Sequence, residues 1–338
     1  MMSSSMNSTP GEVHHVVALE QFAPDAAVEL AAAADKSGFA GTVVADRFQP
    51  WLPSQGNASF AWAVLGAIGQ QTTGMVTASA VPGYRMHPAA VAQASATLAT
   101  LYPNRHRLIL SAGDAIDEHI VGQYWPEASE RAARLFDAAE VIRKLFAASA
   151  KGNDTRHSGP HFRLESSRLW TMPTSPPLMQ VWAGGPMTAR RAGRTLDGMV
   201  VQAGPAERMA ALLNAFREGR REAGRSTESA QTVVHAQLSW APTDDEAMTQ
   251  ALRDWPMAGL RFPRGDIRSP FDVDQLARSV TADDIRARIP VSSDPEVHRA
   301  YLQSFFDLAS TPSICTTLGR AHRANGSRLP AVRFSRNW

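Results

Sequence analysis

The sequence predicts an α/β fold, a (β/α)8 TIM barrel with inserted segments, on three observations. From residue 14 onward, short β-rich runs alternate with longer segments of helical period, the pattern of parallel strands joined by crossover helices. The length of 338 residues suits one such barrel carrying insertions. No G-x-G-x-x-G follows the first strand, so the fingerprint of the rival fold, an open dinucleotide-binding sheet, is missing.

Seven strands can be drawn in order: HHVVALEQF (14–22), GTVVAD (41–46), GMVTASA (74–80), RLILSAG (107–113), PLMQVWAG (177–184), GMVVQAG (198–204) and VVHAQLSWA (233–241). Helical stretches lie between them at 25–37, 59–71, 87–101, 130–148, 186–194, 206–224 and 244–254. The segment 130–146 is the clearest, with Leu135, Phe136, Ala139, Ile142 and Phe146 on one face. Gly/Pro-rich joints at 159–160, 173–177 and 261–266 mark insertions, about 149–176 and 255–292, within a single domain spanning 14–338. The small polar opening, residues 1–13, reads as a disordered tail.

The eighth unit is the difficulty. Residues 294–308 make a good amphipathic helix, but the stretch that follows loses all periodicity and no final helix can be drawn from it. Written in GC-leaning codons and read two nucleotides on, Leu308–Trp338 can become a turn, an alternating strand and a helix. A shifted reading frame over 309–338 is therefore an expectation, which the gene sequence decides.

Composition excludes several function classes. Hydrophobic content of 44% and charged content of 20% are those of a soluble globular protein. No apolar run approaches a membrane span and no secretory leader opens the chain, so a cytoplasmic location is expected. The net charge of +2, with signs interspersed, gives no basic stripe for nucleic acid. Cys315 stands alone, which excludes disulfides within the chain and cysteine-rich metal sites, and the histidines show no metal-ligand spacing.

In a TIM barrel the active site gathers at the C-terminal ends of the strands. Those ends supply Glu20-Gln21-Phe22, Asp46-Arg47 with Trp51 just beyond, Ala78-Ser79-Ala80, Gly113-Asp114, Ala183-Gly184-Gly185 and Gln202-Ala203-Gly204. Three carboxylates from three strands thus meet one tryptophan and glycine-bearing turns. Asp46 is a hydrogen-bond partner or proton acceptor, or else a helix N-cap; RFQP, which follows it, is no helix start, and this favours function. Trp51 is a stacking surface or a packed aromatic. Gly184-Gly185 ahead of Pro186 could present bare N–H groups and a helix N-terminus to a phosphate; an ordinary tight turn is the commoner use.

The runs EQFAP (20–24), ADRFQPW (45–51), YRMHPAAVAQASATLATLYPNR (84–105), LSAGDAIDEHIVG (110–122) and AGGPMTARRAGRTLDG (183–198) resemble the luciferase-like monooxygenase superfamily, and within it the branch around deazaflavin-dependent glucose-6-phosphate dehydrogenase. The resemblance covers residues 14–308. It implies a barrel that binds a flavin-type ring at the strand C-termini, commonly as a homodimer, and acts on a small organic substrate. It also implies roles: Glu20, Asp46, Arg47, Trp51 and Asp114 at the catalytic face, and Ala78, Ser79, Asp117, Ala183, Gly184 and Gly185 around the cofactor. A non-proline cis peptide would fall at Ala78-Ser79, and the phosphate turn at Gly184-Gly185.

Four departures matter. Arg47 replaces the histidine thought to take the substrate proton, and a guanidinium stays protonated at neutral pH. Asp114 is a shortened glutamate, and Asp117 replaces an asparagine. After the sixth strand AGPAER (203–208) lacks the branch's phosphate-binding lysine, and Arg288 offers half a clamp, which argues against glucose 6-phosphate as substrate. The stretches 214–219 and 235–247 are similar to relatives described as non-deazaflavin flavin oxidoreductases, so the cofactor is FMN or coenzyme F420, with the balance slightly toward FMN. The alternative is a non-catalytic flavin-binding protein that kept the barrel and lost the histidine.

Overall fold

In a computed structural model, which describes residues 11–308 and 312–317, eight parallel strands close into a barrel. They are β1 (Val13–Val17), β2 (Gly41–Ala45), β3 (Met75–Ala80), β4 (His106–Leu110), β5 (Leu178–Trp182), β6 (Gly198–Gln202), β7 (Gln231–Gln237) and β8 (Pro312–Thr317). Each pairs with its neighbours in chain order, and β8 closes the ring between β7 and β1, with Val13 opposite Ile314 and Gln237 opposite Thr317. One helix follows each of the first seven strands toward the next: α1 (Pro24–Lys36), α2 (Ala61–Gln71), α3 (Pro88–Leu101), α4 (Ala128–Ser149), α5 (Pro186–Thr195), α6 (Ala206–Glu222) and α7 (Pro295–Leu308). Four of them begin on proline, whose fixed φ and missing N–H cost nothing in a first turn.

Alternation along the strands sorts the side chains. Val16, Val43, Ile109, Trp182, Val200 and Val233 fill the barrel interior. Their neighbours Val17, Val44, Leu108, Val181, Val201, Val234 and Ile314 turn outward and join the helices in the main apolar core. The expected face of α4, Leu135, Phe136, Ala139, Ile142 and Phe146, is buried there. At the N-terminal floor of the barrel Glu12 pairs with His14 and Arg107.

The structure corrects the sequence reading at three places. The eighth strand exists in the chain as written: PSICTT lacks an apolar run, but pairing on both edges makes it a strand. Residues 318–338, where a final helix or a shifted frame would show, lie outside the described residues. The seventh strand ends at Gln237 rather than running to 241, because Ser239–Trp240 turns away to pair with Val291–Ser292. Every peptide among the described residues is trans, so the cis link expected at Ala78-Ser79 is absent; both residues sit in unbroken register between β2 and β4.

Two excursions leave the barrel. Between α4 and β5, a hairpin of Thr155–Ser158 and Arg163–Ser167 is fastened to α4 by buried Asp137. His157 Nε2 lies 2.8 Å from Asp137 Oδ1, and the N–H groups of His161 and Phe162 donate to Oδ2. Between β7 and α7, short helices pack onto the loops above β2 and β4 through Trp51, Leu52, Ile116, Met257 and Val273. Among the described residues no helix is long and apolar enough to cross a membrane.

Candidate active site

The loops leaving β1, β2 and β4 bring Glu20, Arg47, Asp114 and Asp117 together. Arg47 Nε stands 3.2 Å from Glu20 Oε1, Nη2 2.8 Å from Asp117 Oδ2 and Nη1 3.9 Å from Asp114 Oδ2. The first two contacts are close but oblique, ion pairs rather than hydrogen bonds. The guanidinium carbon lies 4.1 Å from the centre of the Trp51 ring, and that of Arg264, from the second excursion, lies 5.0 Å from the same ring. Burial pulls the Arg47 pKa down, but Asp117, Glu20 and Asp114 outweigh it and hold the residue charged. Burial pushes Glu20 and Asp114 up, against the pull of Arg47 in each case.

A second arginine ties the next pair of loops. Arg85, above β3, donates from Nε to Glu118 Oε1 at 3.0 Å and from its backbone N–H to Oε2 at 3.3 Å. Its Nη2 donates to the carbonyl of Asp46 at 2.9 Å and to Oδ2 at 3.3 Å. Asp46 Oδ1 remains buried without a partner among the described residues. Burial outweighs Arg85 at both acids, raising Asp46 and carrying Glu118 up to about 7.

Asp114 follows Gly113, whose φ of +81° and close approach to Val81 leave no room for a Cβ. The short helix Ala115–Glu118 then lifts Asp117 and Glu118 to the two arginines. Asp117 Oδ1 accepts the backbone N–H groups of Phe48 and Gln49 at 2.9 and 3.0 Å while Oδ2 meets Arg47, so it fastens the loop after β2 to the one after β4. Trp51 is almost fully buried, packed with Leu52, Ile116, Met257 and Val273, and carries the Arg47 guanidinium on its ring. Asp46 caps no helix.

The interior wall carries residues that sequence reasoning missed. Trp182 Nε1 donates to Ser79 Oγ at 3.3 Å, its ring meets His235 edge to face at 5.3 Å, and His235 Nδ1 lies 2.9 Å from Gln202 Oε1. Burial, with Arg264 adding to it, pulls His235 down to about 4, so it is neutral at pH 7. Strict alternation from Gln231 through Val233 would have pointed His235 inward. Arg264 lies in RFPRGD, which reads as a joint, and Arg85 and Glu118 lie inside motifs whose other residues carry the signal. Ala78 and Ala183 turn outward into the helix-facing core, so neither offers a side chain to the mouth. Gly184 and Gly185 stand at the open end of β5: a Cβ on either would touch nothing, and Gly185 leaves α5 without a side-chain cap. Arg208 Nη2 reaches the carbonyl of Gly184 at 3.4 Å, while Arg288 is exposed on the second excursion.

Residues 3–310 match the luciferase-like monooxygenase family. An F420-dependent glucose-6-phosphate dehydrogenase of Nakamurella multipartita is 31% identical over 308 residues, covering 90% of this chain and 89% of that protein. Its counterpart in Mycobacterium tuberculosis is 34% identical over 284 residues, covering 82% and 83%. Among solved structures, an F420-dependent secondary alcohol dehydrogenase in complex with an F420-acetone adduct superposes with a TM-score of 0.84 at 28% identity, over 91% of this chain and 94% of that one. A barrel whose strand ends hold these acids and arginines, matched along nearly its whole length, belongs to the luciferase-like monooxygenase family.

Proposed function

We propose that this protein is an oxidoreductase that uses coenzyme F420 and acts on a small organic substrate at the C-terminal mouth of its barrel. The F420-dependent relatives, at 31% and 34% identity over more than four fifths of the chain, tip the choice away from FMN, toward which the sequence alone had leaned. They also set aside the non-catalytic alternative, being dehydrogenases by name.

One observation carries the site assignment: bare Gly184-Gly185 at the uncapped start of α5, where an added Cβ would touch nothing. That turn suits a phosphate, whose charge would be met by first-turn N–H groups and the helix dipole. Asp46 Oδ1, buried and unpartnered among the described residues, suits an N–H donor of the ring. Bound there, a deazaflavin supplies or accepts hydride. The chain itself would orient ring and substrate. Arg85 holds Asp46 and Glu118 in place, Trp182, Gln202 and His235 form the wall beneath, and Glu20 and Asp117 keep Arg47 fixed. Arg47 cannot take a proton at neutral pH, so acid–base work falls to the carboxyls.

Fluorescence titration of the purified protein with coenzyme F420 and, separately, with FMN tests the cofactor. Saturable quenching of F420, with FMN bound at least about tenfold more weakly (about 1.4 kcal/mol), is the expected result. Tighter FMN binding, or binding of neither, overturns the proposal.

A further inference from the structure

Asp137, Glu140 and Lys144 follow one another along α4 at intervals of three and four residues, the spacing that lines side chains up on one side of a helix. The hairpin beside α4 adds His157 to them. We infer that this cluster makes Lys144 a modification site: its amine, activated by His157 and Asp137, accepts an acyl group from an acyl phosphate. No part of the cluster touches the residues proposed to hold the cofactor.

The tautomer of His157 follows from its surroundings. Nε2 lies 2.8 Å from Asp137 Oδ1, and the other oxygen of that carboxyl already accepts the N–H groups of His161 and Phe162. Burial pushes Asp137 up, but the N–H of His161, the ring of His157 and the N–H of Phe162 outweigh it and hold the carboxyl below its ordinary value. An ionised carboxylate only accepts, so Nε2 carries the ring proton and Nδ1 is left with a lone pair. That lone pair faces Lys144, whose Nζ lies 3.2 Å from Nδ1. Carboxylate, imidazole and nucleophile thus stand in the order of a catalytic triad, with an amine in place of the hydroxyl. Ring and carboxylate are shut away from water, at 3% and 4% side-chain exposure, while Lys144 keeps 42% of its side chain open to a reagent.

An ammonium has no lone pair, so the chemistry turns on where its protons go. One passes from Nζ to His157 Nδ1, and Asp137 stabilises the imidazolium that forms. The freed lone pair attacks the carbonyl carbon of the acyl phosphate. The C–N bond forms, the bond from that carbon to the phosphate oxygen breaks, and phosphate leaves with the second proton. His157 returns its proton to water, and nothing is oxidised or reduced. Glu140 acts against the reaction: its Oε1 lies 2.8 Å from Nζ and favours the charged amine. Lys36 and Lys151, the other two lysines of the chain, are exposed, and their side chains make no ion pair or hydrogen bond among the described residues.

The test incubates the full-length protein with acetyl phosphate at pH 7 and follows acetylation at each lysine by peptide mass spectrometry. A positioned general base contributes about 10²–10⁴-fold, which Glu140 and the lower exposure of Lys144 offset in part. Lys144 should therefore be acetylated at least about tenfold faster than Lys36 and Lys151. His157→Gln keeps a donor for Asp137 but has no basic nitrogen, so in the folded variant Lys144 should fall to the rate of the other two. Glu140→Gln, at a half-exposed position, leaves the histidine and Asp137 as they are and should speed Lys144 about twofold, the factor an exposed pair of this spacing supplies. Acetylation of Lys144 no faster than at Lys36 and Lys151, a parent rate in folded His157→Gln, or an unchanged or slower rate in Glu140→Gln would each overturn the site. Should His157→Gln fail to fold, the ranking of the three lysines and the Glu140→Gln rate decide the matter between them.

Discussion

The guanidinium of Arg47 rests 4.1 Å from the centre of the Trp51 ring, and that contact shares with Glu20 and Asp117 the task of fixing a charged side chain at the barrel mouth. A desolvated arginine over tryptophan is stabilised by about 2 kcal/mol. Trp51→Leu should therefore loosen Arg47 while the neighbouring Leu52, Ile116, Met257 and Val273 keep the pocket apolar. Turnover should fall by about tenfold or more, F420 affinity should change little, and stability should drop by about 1–3 kcal/mol. Steady-state kinetics beside urea unfolding checks this; unchanged turnover would remove Trp51 from the working parts of the site.

Arg85 holds two acids that have almost no access to water, Asp46 at 3% and Glu118 at 0% side-chain exposure. Removing one partner of a buried pair costs about 3–5 kcal/mol, so Arg85→Ala should fold poorly. Arg85→Lys is the informative change. It keeps the charge but cannot reach Glu118 and Asp46 together as the planar fork does, so Asp46 should wander. We expect a fold that melts within a few degrees of the parent and an F420 dissociation constant raised several-fold. Parent-like affinity would show that Asp46 needs no such holding.

Much of this was legible because helices announce themselves locally. The expected helices agree with the structure to within about two residues at each end, since proline starts and apolar faces are properties of the segment itself. Strand ends were overrun: Ala18 and Leu19 are buried and read as strand, yet they belong to the turn after β1. β8 was invisible because its strand character comes from β1 and β7, not from PSICTT. Within the site, Glu20, Arg47 and Asp114 could be found from their places after strands. Arg85 with Glu118, and Arg264 over Trp51, could not, because each pairing joins loops far apart in sequence. His235 was hidden in a strand drawn too long to keep its alternation in view.

Glu118 gives the molecule a pH signature. Its pKa rises from 4.5 in the unfolded chain to about 7 because burial penalises the carboxylate more than Arg85 favours it. A group raised in this way binds its proton more tightly when folded, so its stabilisation is full below about 4.5 and is lost as pH rises through about 7. The contribution is on the order of 3 kcal/mol at most. Glu118→Gln, which mimics the protonated acid, should flatten the stability profile between those limits and leave the protein relatively more stable at pH 8. Urea midpoints taken across the range measure it, and an undiminished slope in the variant would assign the dependence to another group.

Gly184 and Gly185 pose the question of why a chain would keep two glycines where none is required by its own fold. Neither is among the residues with positive φ, Gly185 has a φ of −149°, and an added Cβ at either site would touch nothing within 4 Å. On the folded chain's account alanine should therefore be welcome, and by restricting the unfolded state it should stabilise the protein by about 0.4–1 kcal/mol. A ligand reverses the sign at binding. If a phosphate comes close to this backbone at the start of α5, a methyl group at position 184 or 185 stands in its way, and the N–H donors lose their approach. Gly184→Ala and Gly185→Ala should thus melt at or above the parent's temperature while F420 affinity falls about tenfold, a combination that no loss of folding can imitate. Calorimetry for stability and fluorescence quenching for affinity decide it: if both variants bind F420 as the parent does, the phosphate lies elsewhere on the barrel mouth.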